Sequence, residues 1–182
     1  MIKLATHLRY MQFYAHNAHN NCQGDTFFAD HEELGDLYGT YTGLYDSVVE
    51  RMIGLGQAID LVKVQVDAAK MLDSEAAPTS FSAAFSGLLT CEQELCKLIS
   101  EANEGASLGT QDLLQAMCND AETRQYKFKK RLSQASATST EEKSEEEEGG
   151  EDKEEDKEED KEEAKEASTV AKKIAAKLLS VR

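Results

Sequence analysis

The first 134 residues predict an all-α four-helix bundle in which one connection is long, and three observations lead there. Apolar residues recur at alternating spacings of four and three in four separate stretches, the mark of a helix with one buried face. Proline occurs once, at Pro78. The same region is rich in Leu, Ala, Met, Glu and Gln, side chains that lose little freedom in a helix.

The first helix is carried by Leu4, Leu8, Met11, Ala15, Ala18 and Cys22 and ends among the turn formers of Asn20 to Gly24. A second runs from about Ala29 to Leu55, with Leu34, Tyr38, Tyr41, Tyr45, Val48, Met52 and Leu55 on one face and Gly56 as its stop. Residues 57–77 mix two signals. Val62, Val64 and Val66 alternate with polar residues as in a strand, whereas Ala68 to Met71 reads as helix, so a crossover containing a short helix is expected. A connection of this length fits parallel second and third helices, because the chain must travel back along the bundle. Pro78-Thr79-Ser80 caps the third helix, whose face is Phe81, Phe85, Leu88, Leu95 and Ile99, ending near Asn103 to Gly105. Thr110 is the expected cap of the fourth, with Leu114, Met117, Ala121, Phe128 and Leu132 as its stripe.

Composition changes near residue 135, giving a bundle over 1–134, an acidic low-complexity tail over 135–169 and a short basic amphipathic end over 170–182. In the tail, Lys153, Lys157, Lys161 and Lys165 recur every four residues within an acidic run, a pattern that supports a solvated single helix or a disordered spacer. The end segment sets Val170, Ile174, Leu178 and Val181 on one face, among Lys172, Lys173, Lys177 and Arg182. Residues 1–134 carry 18 acidic and 11 basic side chains, and residues 135–182 carry 17 and 9, so both parts are acidic. Such a body repels a phosphate backbone on average, which leaves DNA as a partner only through a local basic patch such as this end segment.

Cys22, Cys91, Cys96 and Cys118 form no Cys-x-x-Cys pair and read as small apolar side chains. With no signal-peptide pattern and no apolar run of transmembrane length, a cytoplasmic setting is expected.

Chemistry concentrates in residues 19–50, where His19, His31, Asp46 and Glu50 are metal-capable. At about 100° per residue, His31, Asp46 and Glu50 fall roughly 70°, 130° and 170° from the centre of the second helix's core stripe, so all three avoid the core face. His31 and Asp46 are about 22 Å apart along the axis, too far to hold one metal within a chain. Two copies packed with these helices antiparallel about a two-fold axis bring the His end of one to the carboxylate end of the other. His and carboxylate ligands with open positions suit Fe(II), and the same set accepts Zn(II) or Mn(II). His7 and His16 read as a core histidine and a neighbour one turn before His19.

These residues resemble the Dps miniferritins of the ferritin-like superfamily. The signature is a His, a second His twelve residues later, and Asp-x-x-x-Glu fifteen residues beyond, matched by His19, His31, Asp46 and Glu50. The likeness extends to Asn21, Gly24, Phe27, Phe28, Ala29 and Glu32, to Glu50-Arg51, and to Gly109 through Leu114. It implies a ferritin-like fold and a twelve-subunit shell, with Fe(II) bound at two-fold interfaces, oxidised by peroxide or oxygen and stored as ferric mineral. Two positions depart from the pattern. The family's further acidic ligand, four residues after the second His, falls on Gly35, with Asp36 as the candidate substitute; and Asn20 stands where many relatives carry Trp. A lysine-rich N-terminal arm is also lacking. No Glu-x-x-His motif occurs, which argues against a di-iron site inside one bundle.

Two functions are therefore expected to compete. One is a cytosolic ferroxidase and iron store that protects against oxidative damage. The other is a ferritin-like assembly or binding protein that lost catalysis at Gly35 and works through its tail on DNA, a membrane surface or a protein.

Overall fold

The computed structural model describes residues 1–73 and 77–145, the last eleven of these as backbone only. Five helices follow one another: α1 (Ile2–Asn21), α2 (Phe27–Gly54), α3 (Leu61–Leu72), α4 (Phe81–Asn103) and α5 (Leu108–Glu145). The all-α class and the four long helices with a helical crossover stand as expected. Lys153 to Lys165 and the basic end over 170–182 lie outside the described residues.

Local chemistry sets the helix ends. The side-chain amides of Asn20 and Asn21 donate back to the carbonyls of His16 and Asn17 at 2.7 and 2.8 Å, satisfying acceptors in the last turn of α1. Gly24 then turns the chain at φ 138°, and the Gln23 amide donates to the Thr79 carbonyl at 3.0 Å, pinning the α1–α2 turn to the entry of α4. Gly56, at φ 72°, closes α2. The Ser80 side chain accepts from the Ala83 amide at 3.1 Å, the cap expected for α4.

One ambiguity is resolved and one expectation is corrected. The Val62-Val64-Val66 stretch is helical throughout: Asp60 caps α3 by accepting from the Lys63 amide at 2.9 Å, Lys63 pairs with Asp67 one turn on, and Val64, Ala68 and Met71 bury the inner face. Burial at spacings of four and three outweighs the β preference of valine. The fourth long helix begins at Leu108, not at Thr110: the Ser107 carbonyl accepts from the amides of Thr110 and Gln111 at 2.9 and 2.8 Å, so Thr110 is buried inside the first turn.

Contacts fix the directions. Phe27 and Phe81, the first residues of α2 and α4, have ring centroids 6.2 Å apart, and midway along the same pair Tyr41 reaches Glu92; α2 and α4 are parallel. Asp30 in the first turn of α2 meets Arg131 far along α5, which is antiparallel to both. Packing of α1 against α2, α3 and α4, and of α4 against α5, completes the bundle. Every stripe residue of α1 is buried, as are Leu34, Tyr41, Tyr45, Val48 and Met52 of α2, while Leu55 is exposed.

The core also holds polar groups. Glu92, with no exposed surface, accepts from Tyr41 Oη at 2.7 Å and from Arg124 Nε and Nη2 at 2.5 and 3.2 Å. His7 donates from Nε2 to the Cys91 carbonyl at 2.9 Å, and its Nδ1 is buried with no hydrogen-bond partner among the described residues. Protonating Nδ1 would bury a charge beside an unpaired donor, so burial holds this histidine neutral and lowers its pKa from 6.5 to about 4. Because the folded value is depressed, His7 contributes stability fully above pH 6.5 and loses it as pH falls toward 4. Urea unfolding between these values should show a loss of about 3 kcal/mol that His7→Leu flattens; an unchanged slope in the variant would mean that His7 is not the titrating group.

Candidate metal centre

His19 lies in the last turn of α1 and His31 in the second turn of α2, and the short link folds one onto the other. Each ring reaches the other residue's backbone: His19 Nδ1 donates to the His31 carbonyl and His31 Nδ1 donates to the His19 carbonyl, both at 2.9 Å. A carbonyl oxygen can only accept, so both rings carry hydrogen on Nδ1. In the neutral form this tautomer leaves the Nε2 lone pair of each ring available, as a metal-binding histidine requires. The rings stack with centroids 3.7 Å apart at 23°. Phe27 stacks on the outer face of His31 at 4.8 Å, and Tyr38 meets His19 edge-on at 5.5 Å while also packing against His16 at 4.8 Å. Orientation is therefore fixed from several sides before any ligand arrives.

Gly35 sits against this pair. A Cβ built there would lie 3.4 Å from His19 Cε1 and 3.5 Å from Nδ1, in van der Waals contact with the ring. A longer side chain at 35 would project over the imidazole that uses the His31 carbonyl one turn back. Asp36 is exposed and lines an open groove with Glu33, Asp120, Arg124 and Lys127, on the side of α2 that faces α5.

Asp46 and Glu50 are exposed on the far half of α2, where Glu50 borders a groove with Arg51 and Leu113. Since α2 is one uninterrupted helix from Phe27 to Gly54, the histidine pair and the carboxylate pair are separated by about 22 Å of rise. Among the described residues of one chain, no three His, Cys, Asp or Glu side chains converge as a metal site. The chain presents two separate groups of metal-capable side chains, the histidine pair where α1 meets α2 and the carboxylate pair toward the far end of α2.

Sequence reasoning missed the residues that brace the histidine end. Asp30, buried beside His31, takes Arg131 Nε on both carboxylate oxygens at 2.9 and 3.1 Å and also receives the Thr26 hydroxyl. Arg131 in turn donates to Thr26 at 2.8 Å. Thr26-x-x-x-Asp30 at a helix start is a visible signal for a polar first turn, but its partner lies 101 residues away.

Large apolar side chains stay uncovered at both ends of α2: Phe27 and Phe28 at its start, Ile53 and Leu55 at its end, with Leu61, Val62 and Val66 on α3 and Leu108 on α5. Among the described residues no helix is long and apolar enough to cross a membrane.

Comparison with family models matches residues 3–137 to the Ferritin-like domain. No curated protein and no solved structure matches the chain. The matched span runs from α1 through the crossover and most of α5 and ends where the composition changes, and on that ground the chain belongs to the ferritin-like domain family.

Proposed function

We propose that this protein is a Dps-type miniferritin that binds Fe(II) between two copies of the chain and oxidises it for storage. The observation that carries the reading is the histidine pair: His19 at the end of α1 and His31 near the start of α2, two rings locked by reciprocal Nδ1 hydrogen bonds with Nε2 left to coordinate, while Asp46 and Glu50 lie toward the far end of α2.

In this reading His19 and His31 of one subunit and Asp46 and Glu50 of its two-fold mate hold the metal, with Glu50 the tightest or bridging ligand. Neutral imidazoles and two carboxylates balance the charge of a divalent ion and leave positions open, and the carboxylates favour the ferric product further. The oxidant, hydrogen peroxide or oxygen, takes one electron from each Fe(II), so that two Fe(II) and two protons reduce one peroxide to two waters and peroxide is consumed as iron is stored. Zn(II) and Mn(II) are accommodated by the same donors and act as competitors. The uncovered apolar residues around the ends of α2 and on α3 support burial between subunits of a closed cytosolic shell of twelve. Family membership supports iron as the cargo.

A second reading rests on Gly35, which contributes no acidic side chain beside His19. There the bundle serves assembly and the C-terminal tail does the binding. Anaerobic titration of metal-free protein with Fe(II), read by calorimetry and followed by peroxide, separates the two. Saturation at about one to two irons per subunit, then rapid ferric absorbance, is expected. Uptake no greater than that of His31→Ala would remove the ferroxidase reading and direct attention to deletion of residues 135–182.

A further inference from the structure

Phe85 and Phe128 stack across α4 and α5 with centroids 5.5 Å apart, and Glu92 pairs with Arg124 two turns further along α4. This antiparallel register carries Cys96, one turn beyond Glu92, to the level of residues 117–120 on α5. Cys118 is there, half-buried like Cys96 and near enough to act on its protonation. The Gln125 amide donates to Cys96 Sγ at 3.3 Å and to the Glu92 carbonyl at 3.3 Å, holding the Cys96 side chain in place from about two turns further along α5. Both cysteines are half-buried, whereas Cys22 and Cys91 are buried. The four cysteines thus divide into two core side chains and one facing pair at the rim of the α4–α5 seam.

We propose that Cys96 and Cys118 form a redox-active dithiol that reduces a hydroperoxide and closes into a disulfide joining α4 to α5. The proposal is independent of the metal reading, since neither thiol belongs to that site.

The two thiols have unequal roles. Burial first, then the hydrogen bond with Cys118 and the charges of Glu92 and Glu122, push the Cys96 thiol up to about 12. A thiol held protonated suits the resolving role, which leaves Cys118 as the sulfur that attacks. Cys118 loses its proton to solvent and its thiolate attacks one peroxide oxygen. The O–O bond breaks, the leaving hydroxide takes up a proton to become water, and Cys118 becomes a sulfenic acid. Cys96 sulfur then attacks Cys118 sulfur, the S–O bond breaks, and the departing hydroxide leaves as water with the Cys96 proton. Two thiols and one hydroperoxide give one disulfide and two molecules of water, or of water and alcohol. Rotation about the side-chain bonds and an approach of the helices bring the facing sulfurs to the covalent length of about 2.05 Å. A thiol reductant reverses the bond by exchange.

The test uses the full chain with a strong iron chelator present. After brief exposure to hydrogen peroxide, denaturation and alkylation, two of the four cysteines should have become unreactive, with recovery on adding dithiothreitol. Digestion after glutamate cuts at Glu94, separating Cys96 from Cys91, and mass spectrometry should find the Cys96 peptide linked to the Cys118 peptide. Cys118→Ser should slow peroxide-dependent thiol loss about tenfold or more. Cys96→Ser should leave Cys118 trapped as a sulfenic acid that dimedone labels. Retention of all four thiols, a crosslink running through Cys91 or between chains, or a Cys118→Ser variant that oxidises at the wild-type rate would each overturn the proposal.

Discussion

Arg124→Met is expected to lower the unfolding free energy by about 3–5 kcal/mol at neutral pH, because it strands the carboxylate of Glu92 in the bundle core. Glu92 has no exposed surface, and Arg124 supplies two of its three side-chain hydrogen bonds, at 2.5 and 3.2 Å, from a guanidinium that also lies 5.7 Å over the Tyr41 ring. Burial already raises the Glu92 carboxyl above its ordinary 4.5, with Arg124 as the main opposing influence. Removing that influence raises it further. A carboxyl raised in the folded state contributes stability that is complete below its ordinary value and disappears as pH climbs through the folded value. The deficit of Arg124→Met should therefore be largest at pH 7 and shrink as pH falls toward 4.5. Urea unfolding at several pH values measures this directly. Adding Glu92→Gln should recover most of the loss, since glutamine keeps an acceptor for Tyr41 without the charge. A deficit that does not vary with pH would mean that the arginine matters by packing alone.

Subunits carrying His31→Ala and subunits carrying Glu50→Ala should each lose Fe(II) oxidation by about 100-fold or more, yet regain part of it when unfolded together and refolded. In a mixed two-fold pair one site collects both defects and the other collects neither. Random pairing of equal amounts then leaves about a quarter of the sites intact. Stopped-flow ferric absorbance on single and mixed preparations reads the outcome. Activity that stays at the level of the single variants after mixing would exclude sites shared between subunits.

How much of this was legible in sequence depends on the distance over which each signal acts. The apolar stripes were readable because a helix repeats its buried face locally, and Leu4 through Ala18 or Phe81 through Ile99 needed no knowledge of the partner. The valines of α3 read ambiguously because periods of two and of four-and-three coincide over so short a stretch; only the surface against α1 decides between them. Thr110 looked like a cap because it is the right residue type, but the Ser107 carbonyl already serves two amides there. Glu92–Arg124 and Asp30–Arg131 join residues 32 and 101 positions apart, beyond any local pattern. At the candidate site, the spacing of His19, His31, Asp46 and Glu50 was visible and the division into two separate groups followed from helix rise. What Gly35 faces was not, since that depends on how α1 returns along α2.

The Asp30–Arg131 clamp has a mechanical side. Residue 135, where the acidic tail begins, lies about one helical turn beyond Arg131, and the guanidinium grips the first turn of α2 immediately before His31. A pull along α5 from residue 135 therefore meets Leu132, packed on the core, and Arg131, tied to the turn just before His31, within one helical turn. The attachment point of the tail and the seat of the histidine pair share one strut.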